Sequence, residues 1–193
     1  METMILASSS PRRSQLLATL GIPFTAVPSG YEEEFDSSPP IRQVERLAEM
    51  KVRSLLQERP DLSGRAILGA DTCIDLNGRI LGKPADRREA GRYLEAMSGT
   101  SHRVLTGISL WNGRQKSIIT RTESTIIHVT TLSAAEIEWY LDTGEWEGAA
   151  GGYRIQGKGS LFVERIEGCF FNVMGLPIHL FYGMLQSQGY SLL

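Results

Sequence analysis

Apolar positions along the chain switch repeatedly between the spacing of a strand and the spacing of a helix. Met4, Ile5 and Leu6 form a short apolar run that reads as the end of a buried strand. A hydroxyl-rich turn follows, in which Ser10 can cap a helix with Pro11 at its first position, where a missing N–H costs nothing. Leu16, Leu17 and Leu20 then fall on one face, and Gly21 supplies the stop. Residues 23–27 read as a second strand, residues 29–36 as an acidic turn, and Ser37-Ser38-Pro39-Pro40 as a linker or helix start. From Ile41 onward, the spacing of Val44, Leu47, Ala48, Val52 and Leu55 predicts an amphipathic helix.

The second half repeats this interleaving. Residues 66–76 are a strongly apolar strand that Asn77-Gly78 turns into residues 79–84, a hairpin signal. Asp86 and Glu89 have capping-box spacing ahead of a helical face of Ala90, Tyr93, Leu94 and Met97, which Gly99 ends. Residues 102–111, the Asn112-Gly113 turn and residues 116–129 predict a second hairpin. Ser133 and Glu136 open another capped helix, through Ile137, Tyr140 and Leu141 to Gly144. A glycine-rich loop occupies residues 144–160, residues 161–166 alternate like a strand, and residues 170–174 read as the last strand. Leu176-Pro177 then opens a terminal helix through Ile178, Phe181, Met184 and Leu185. The class is α/β, as one domain over residues 1–193 or two small lobes sharing a cleft.

Composition narrows the chemistry. The 193 residues are 41% hydrophobic and 22% charged, with a net charge of −2 and no basic run. A general nucleic-acid surface is therefore not expected, whereas a small anion needs only a local cluster of cations. Neither a signal peptide nor a membrane span is expected: Met1-Glu2-Thr3 lacks a basic start and no apolar run has the required length. Cys73 and Cys169 define neither a disulfide framework nor a metal knuckle, which fits reduced core residues in the cytoplasm. His102, His128 and His179 share no metal-ligand spacing.

Five places break the apolar pattern in ways that matter chemically. Arg12 and Arg13 sit in a helix first turn, where they oppose the dipole, so a negative group such as a triphosphate would compensate them, with Ser8, Ser9 and Ser10 as further donors. Lys51 falls inside the apolar stripe of its helix and must snorkel, pair with a carboxylate or point into a polar cleft. Asp71 lies within a buried strand and requires a pair, hydrogen bonds or a metal, while Asp75, beside the turn, reads as a solvated end residue. Lys83, fixed between Gly82 and Pro84, leaves the hairpin in a direction that could return towards Asp71. The acidic run Glu32-Glu33-Glu34 is either a solvated loop or a source of cation ligands.

The late loop approaches a phosphate-binding G-x-x-x-x-G-K pattern at residues 152–158. It carries Gly159 where Ser or Thr should hold magnesium, and a strand follows instead of a helix, so that reading is rejected. Its glycines instead let backbone amides approach a ligand closely, and Gln156 offers paired donor and acceptor to a base edge.

Taken together, Leu6-Ala-Ser-Ser-Ser-Pro-Arg-Arg13, Glu32-Glu33, Arg46-Leu-Ala-Glu-Met-Lys51, Gly69-Ala-Asp-Thr72, Gly82-Lys-Pro84, Met97-Ser-Gly99 with His102, and Gly152-Tyr-Arg-Ile-Gln-Gly157 resemble the Maf family of nucleoside triphosphate pyrophosphatases along nearly the whole chain. The resemblance implies a two-lobed Maf/inosine-triphosphatase-like α/β fold with a mixed twisted sheet and the active site in a central cleft. It also implies cleavage of a nucleoside triphosphate to monophosphate and pyrophosphate, dependent on magnesium or manganese, by a homodimer. By this resemblance Asp71 activates water or holds metal with Glu33 as its partner. Ser8, Arg12, Arg13, Lys51 and Lys83 clamp phosphate and the transition state. The Tyr-Arg-Ile-Gln-Gly form resembles the subfamily preferring dTTP and UTP, in which Arg12, Thr72 and Gln156 are linked to substrate choice. Arg154 stands where relatives often carry a small residue, and it either contacts phosphate or faces solvent. The alternative function is a nucleotide-binding regulator of septum formation with little turnover.

Overall fold

The computed structural model describes residues 2–32 and 36–191. Its centre is one mixed seven-stranded sheet in the order β2-β1-β3-β5-β6-β7, with β4 pairing β3 beside this path. The parallel part is small: β1 (Met4–Leu6) pairs in parallel with both β2 (Phe24–Ala26) and β3 (Ile67–Leu76). The remainder is antiparallel, formed by β4 (Arg79–Leu81), β5 (Ser101–Asn112), β6 (Ser117–Val129) and β7 (Val163–Glu167). The long β5–β6 hairpin turns at residues 112–117, as its turn chemistry predicts.

Helices cover the sheet on both faces. α1 (Pro11–Thr19) connects β1 to β2 and buries Leu16 and Leu17 in a core with Leu68, Ile108, Leu110 and Phe181. α2 (Pro40–Glu58) connects β2 to β3 and buries Val52 and Leu55 with Ile5 and Ile67. Alternation along β3 explains the division, since Leu68 belongs to one core and its neighbour Ile67 to the other. α3 (Arg87–Met97) and α4 (Ala134–Asp142) pack Leu94, Met97, Ile137 and Tyr140 over the far end of the sheet, against Ile74, Val104 and Ile127. α5 (Phe170–Val173) and α6 (Ile178–Ser187) complete the chain. The cores around Leu68 and Ile74 lie at opposite ends of β3, and the intervening stretch carries Asp71 and Thr72.

Several sequence expectations change in detail. Residues 170–174 are a helical turn and not a strand: Asn172 is fully buried and donates to Val104 O at 2.9 Å and Thr125 Oγ1 at 2.9 Å, reaching β5 and β6 together. β7 pairs with β6 only over Ile126–Val129, and beside that end the turn docks through side-chain hydrogen bonds instead of adding a strand. The β7 strand begins at Val163, because residues 158–162 form a 3-10 turn. Leu20 is exposed, since the helix ends at Thr19 before that position completes the buried stripe. Ser10 occupies the cap position of α1 without a side-chain cap bond, and Ser8 Oγ instead accepts from the Ser10 N–H at 3.2 Å. Asp86 does cap Glu89, but Glu89 reaches back to Ala85 N, whereas the Ser133–Glu136 box is complete. Asp75 is buried: it accepts from Gly78 N at 2.7 Å and from Arg103, its cross-strand partner on β5.

Candidate active site

The strand order places a crevice at the carboxyl end of β1. The chain leaves β1 through α1 towards β2 on one side, and returns through α2 to β3 on the other, so two connections diverge from one point. Open α/β sheets bind ligands at such a point. Here the opening continues along β3, whose edge is paired by β1 only as far as Leu68 and by β4 only from Ile74. A cavity of about 590 Å³ occupies this gap, within the range that holds a small organic ligand.

Every predicted site residue among those described lines this cavity. Ser8 enters from the β1–α1 turn, Arg12 from the first turn of α1, Lys51 from α2, and Asp71 and Thr72 from β3. Arg13 joins them from α1, Lys83 from the segment after β4, and Gln156 from the glycine-rich loop. Glu33 lies outside the described residues.

Lys51 and Asp71 resolve each other's anomaly. Lys51 Nζ lies 2.6 Å from Asp71 Oδ1, and the two side chains are 11% and 6% exposed, so each supplies the charge that the other's burial demands. The contact depends on α2 lying close to the sheet. A Cβ on Gly69 would come within 2.4 Å of Ala48 O, and one on Gly107 within 2.3 Å of Val44 O, so only glycines allow this approach. Asp71 carries the only carboxylate among the described residues that line the cavity.

Arg13 differs from Arg12. Arg13 is buried, donating from Nε to Gly175 O at 2.8 Å, from Nη1 to Ser8 Oγ at 3.0 Å and from Nη2 to Thr72 Oγ1 at 3.0 Å. It thereby joins the end of β1, the middle of β3 and the turn after α5. Arg12 is half-buried, and Nη2 donates to Gly148 O at 3.3 Å. Burial lowers its pKa, and the charge of Arg154 lowers it further. Arg154 donates from Nη2 to Glu147 O at 2.6 Å, so the two guanidiniums are tethered to adjacent carbonyls of one turn and repel each other. Two like charges held together at a cavity wall form a site for an anion. The first-turn amides of α1, with the positive end of its dipole, add to that field.

The loop carrying Gln156 is ordered by packing. Gly151 and Gly152 adopt positive φ of 68° and 73°, which lets the chain turn under Ala90 and Ile74. Tyr153 is buried and its hydroxyl lies 2.8 Å from His102 Nε2, while Tyr140 Oη accepts from Arg154 N at 3.1 Å. Burial pushes the Tyr140 hydroxyl up to about 12 and that of Tyr153 higher still, so both remain protonated. Sequence reasoning missed Thr106, Asn172 and Gly175 behind the site. The one available signal was a threonine within the apolar run of β5.

The match to known proteins extends over this entire arrangement. A family model described as Maf-like protein matches residues 3–188. The dTTP/UTP pyrophosphatase of Symbiobacterium thermophilum is 44% identical over 193 residues, covering 100% of this chain and 97% of the relative. That of Pelotomaculum thermopropionicum is 40% identical and covers 100% of both chains. That of Caldicellulosiruptor saccharolyticus is 40% identical, covering 100% of this chain and 98% of the relative. With its cavity residues carried on the expected elements and the match running almost end to end, the chain belongs to the Maf family.

Proposed function

We propose that the protein hydrolyses dTTP and UTP to the monophosphate and pyrophosphate by attack of water on the α-phosphorus. One observation carries this reading: a nucleotide-sized cavity holds the buried Asp71–Lys51 pair beside Arg12, Arg13, Lys83 and Arg154. The names of the relatives support the reaction and the pyrimidine preference. Cleavage of a phosphoric anhydride asks the protein mainly for positioning and charge neutralisation, and this cavity is rich in both.

In this mechanism Asp71 orients the attacking water and takes its proton, while the Lys51 ammonium holds the carboxylate in place. Arg12, Lys83 and the α1 N-terminus receive the charge that accumulates on the departing pyrophosphate. Ser8 and Arg13 brace the turn that presents Arg12. Gln156 and Thr72 meet the base. The donor set also fits a magnesium or manganese ion, a hard cation commonly held by one or two carboxylates together with substrate phosphates. Asp71 would hold it, with Glu33, which the family resemblance assigns and which lies outside the described residues, as its partner; no cluster of three or more metal-ligating side chains occurs among the described residues. Such an ion would neutralise phosphate charge when bound. A cytoplasmic homodimer belongs to the same reading, the compartment resting on the cysteine usage and the dimer on the family resemblance. Among the described residues, no helix is long and apolar enough to cross a membrane.

The test is a substrate panel of dTTP, UTP, CTP, ATP, GTP and 7-methyl-GTP with magnesium or manganese, comparing the natural protein with Asp71→Asn. Pyrophosphate release from dTTP and UTP is expected, falling by at least about a hundredfold in the variant. Full activity in folded Asp71→Asn would remove Asp71 from this role. Absence of turnover by folded, metal-loaded protein would favour the nucleotide-binding regulator.

A further inference from the structure

Behind the cavity wall, hydrogen bonds close into a ring whose proton order is fixed by its ends. Arg13 Nη2 donates to Thr72 Oγ1 at 3.0 Å, and Thr72 Oγ1 lies 3.0 Å from Thr106 Oγ1. Thr106 Oγ1 in turn lies 3.0 Å from Asn172 O. Asn172 O also accepts from Gly175 N at 2.9 Å, and Gly175 O accepts from Arg13 Nε at 2.8 Å. A carbonyl only accepts, so Thr106 must spend its one proton on Asn172 O. The contact between the threonines then needs the proton of Thr72. An arginine only donates, so Arg13 takes one lone pair of Thr72 and never offers it an acceptor. Thr106 is fully buried while Thr72 is half-buried and lines the cavity. Thr72 thus meets the cavity with its proton turned away and one lone pair remaining.

We propose that Thr106 is a positioning residue that makes Thr72 an obligate hydrogen-bond acceptor, so that this wall selects a base bearing N3–H and rejects one bearing an N3 lone pair. The inference rests on the nucleotide-hydrolase reading above and assigns its base discrimination to one hydroxyl. Uracil and thymine present N3–H to Thr72. Cytosine presents an acceptor to an acceptor, an unpaired polar contact that a built site rejects strongly. Phosphate oxygens, which also only accept, are steered away from Thr72 towards the arginines. Neither methyl nor ribose differences enter, so dTTP and UTP are treated alike.

The experiment compares kcat/KM for UTP and CTP in the natural protein, Thr106→Val, Thr106→Ser and Thr72→Val, with thermal unfolding as a check on folding. Thr106→Val frees the Thr72 proton to turn towards the ligand. The UTP-to-CTP ratio is expected to fall at least about tenfold, while Thr106→Ser, which keeps the hydroxyl, retains it. Thr72→Val is expected to lower kcat/KM for UTP by at least about tenfold and to leave CTP unchanged or improved. An unchanged ratio in folded Thr106→Val overturns the proposal, as does equal use of UTP and CTP by the natural protein. If Thr106→Val does not fold, an equal loss for both nucleotides in Thr72→Val overturns it. Failure of the natural protein to cleave any nucleotide would instead strike the hydrolase reading itself.

Discussion

His102 shows how a single buried group ties the glycine-rich loop to pH. It is held against Tyr153 at 2.8 Å, and burial, with the nearby His128 adding to it, pushes its pKa down to about 4. The unfolded chain titrates near 6.5 and so binds more protons than the folded chain between these values. The stabilisation is therefore fully present above about pH 6.5 and is lost as pH falls towards 4, on the order of 3 kcal/mol at most. Urea unfolding at pH 7 and pH 4.5 should show this loss, and His102→Gln should flatten the pH dependence across that window. An equally steep dependence in the variant would place the titrating group elsewhere. Legibility at this scale follows from conflict with the pattern. Lys51 and Asp71 were legible because each puts a charge into an apolar period, although only the fold could pair them across 20 residues. Asp75 was misread because what pairs its charge, Arg103 on the neighbouring strand, is set by register and not by adjacent residues.

At the scale of elements, the distance between α2 and the sheet controls the site. Val44 and Ala48, one helical turn apart, bring their carbonyls against Gly107 and Gly69, and Lys51 follows on the same face. Gly107→Ala would force a Cβ to within 2.3 Å of Val44 O, so α2 must move outward and carry Lys51 with it. A loss of about 2 kcal/mol is expected, or roughly 4–8 °C in the unfolding midpoint, together with reduced turnover. Unchanged stability and activity would show that the helix can shift without disturbing the Lys51–Asp71 contact. Most elements were legible because they carry long periods and explicit turn or cap residues, as in the two hairpins and the Ser133 box. Residues 170–174 were not, since a short apolar run suits a strand or a helical turn equally until Asn172 must reach two strands.

For the molecule as a whole, the sheet order puts the β1–α1 turn and the open edge of β3 around one cavity, and the predicted site residues reach it from five separate segments. The membership of that cavity was legible through the order of its motifs. Its division of labour was not: Arg13 reads in sequence like Arg12, yet it is a buried brace while Arg12 and Arg154 face each other at the wall. In the proposed reaction water attacks the α-phosphorus and pyrophosphate departs intact. The most direct test is hydrolysis of dTTP in water enriched in heavy oxygen, with the products separated and weighed by mass spectrometry. Pyrophosphate is expected as the first product, with one heavy oxygen in dTMP. Orthophosphate as the first product, or heavy oxygen carried by pyrophosphate, would contradict it.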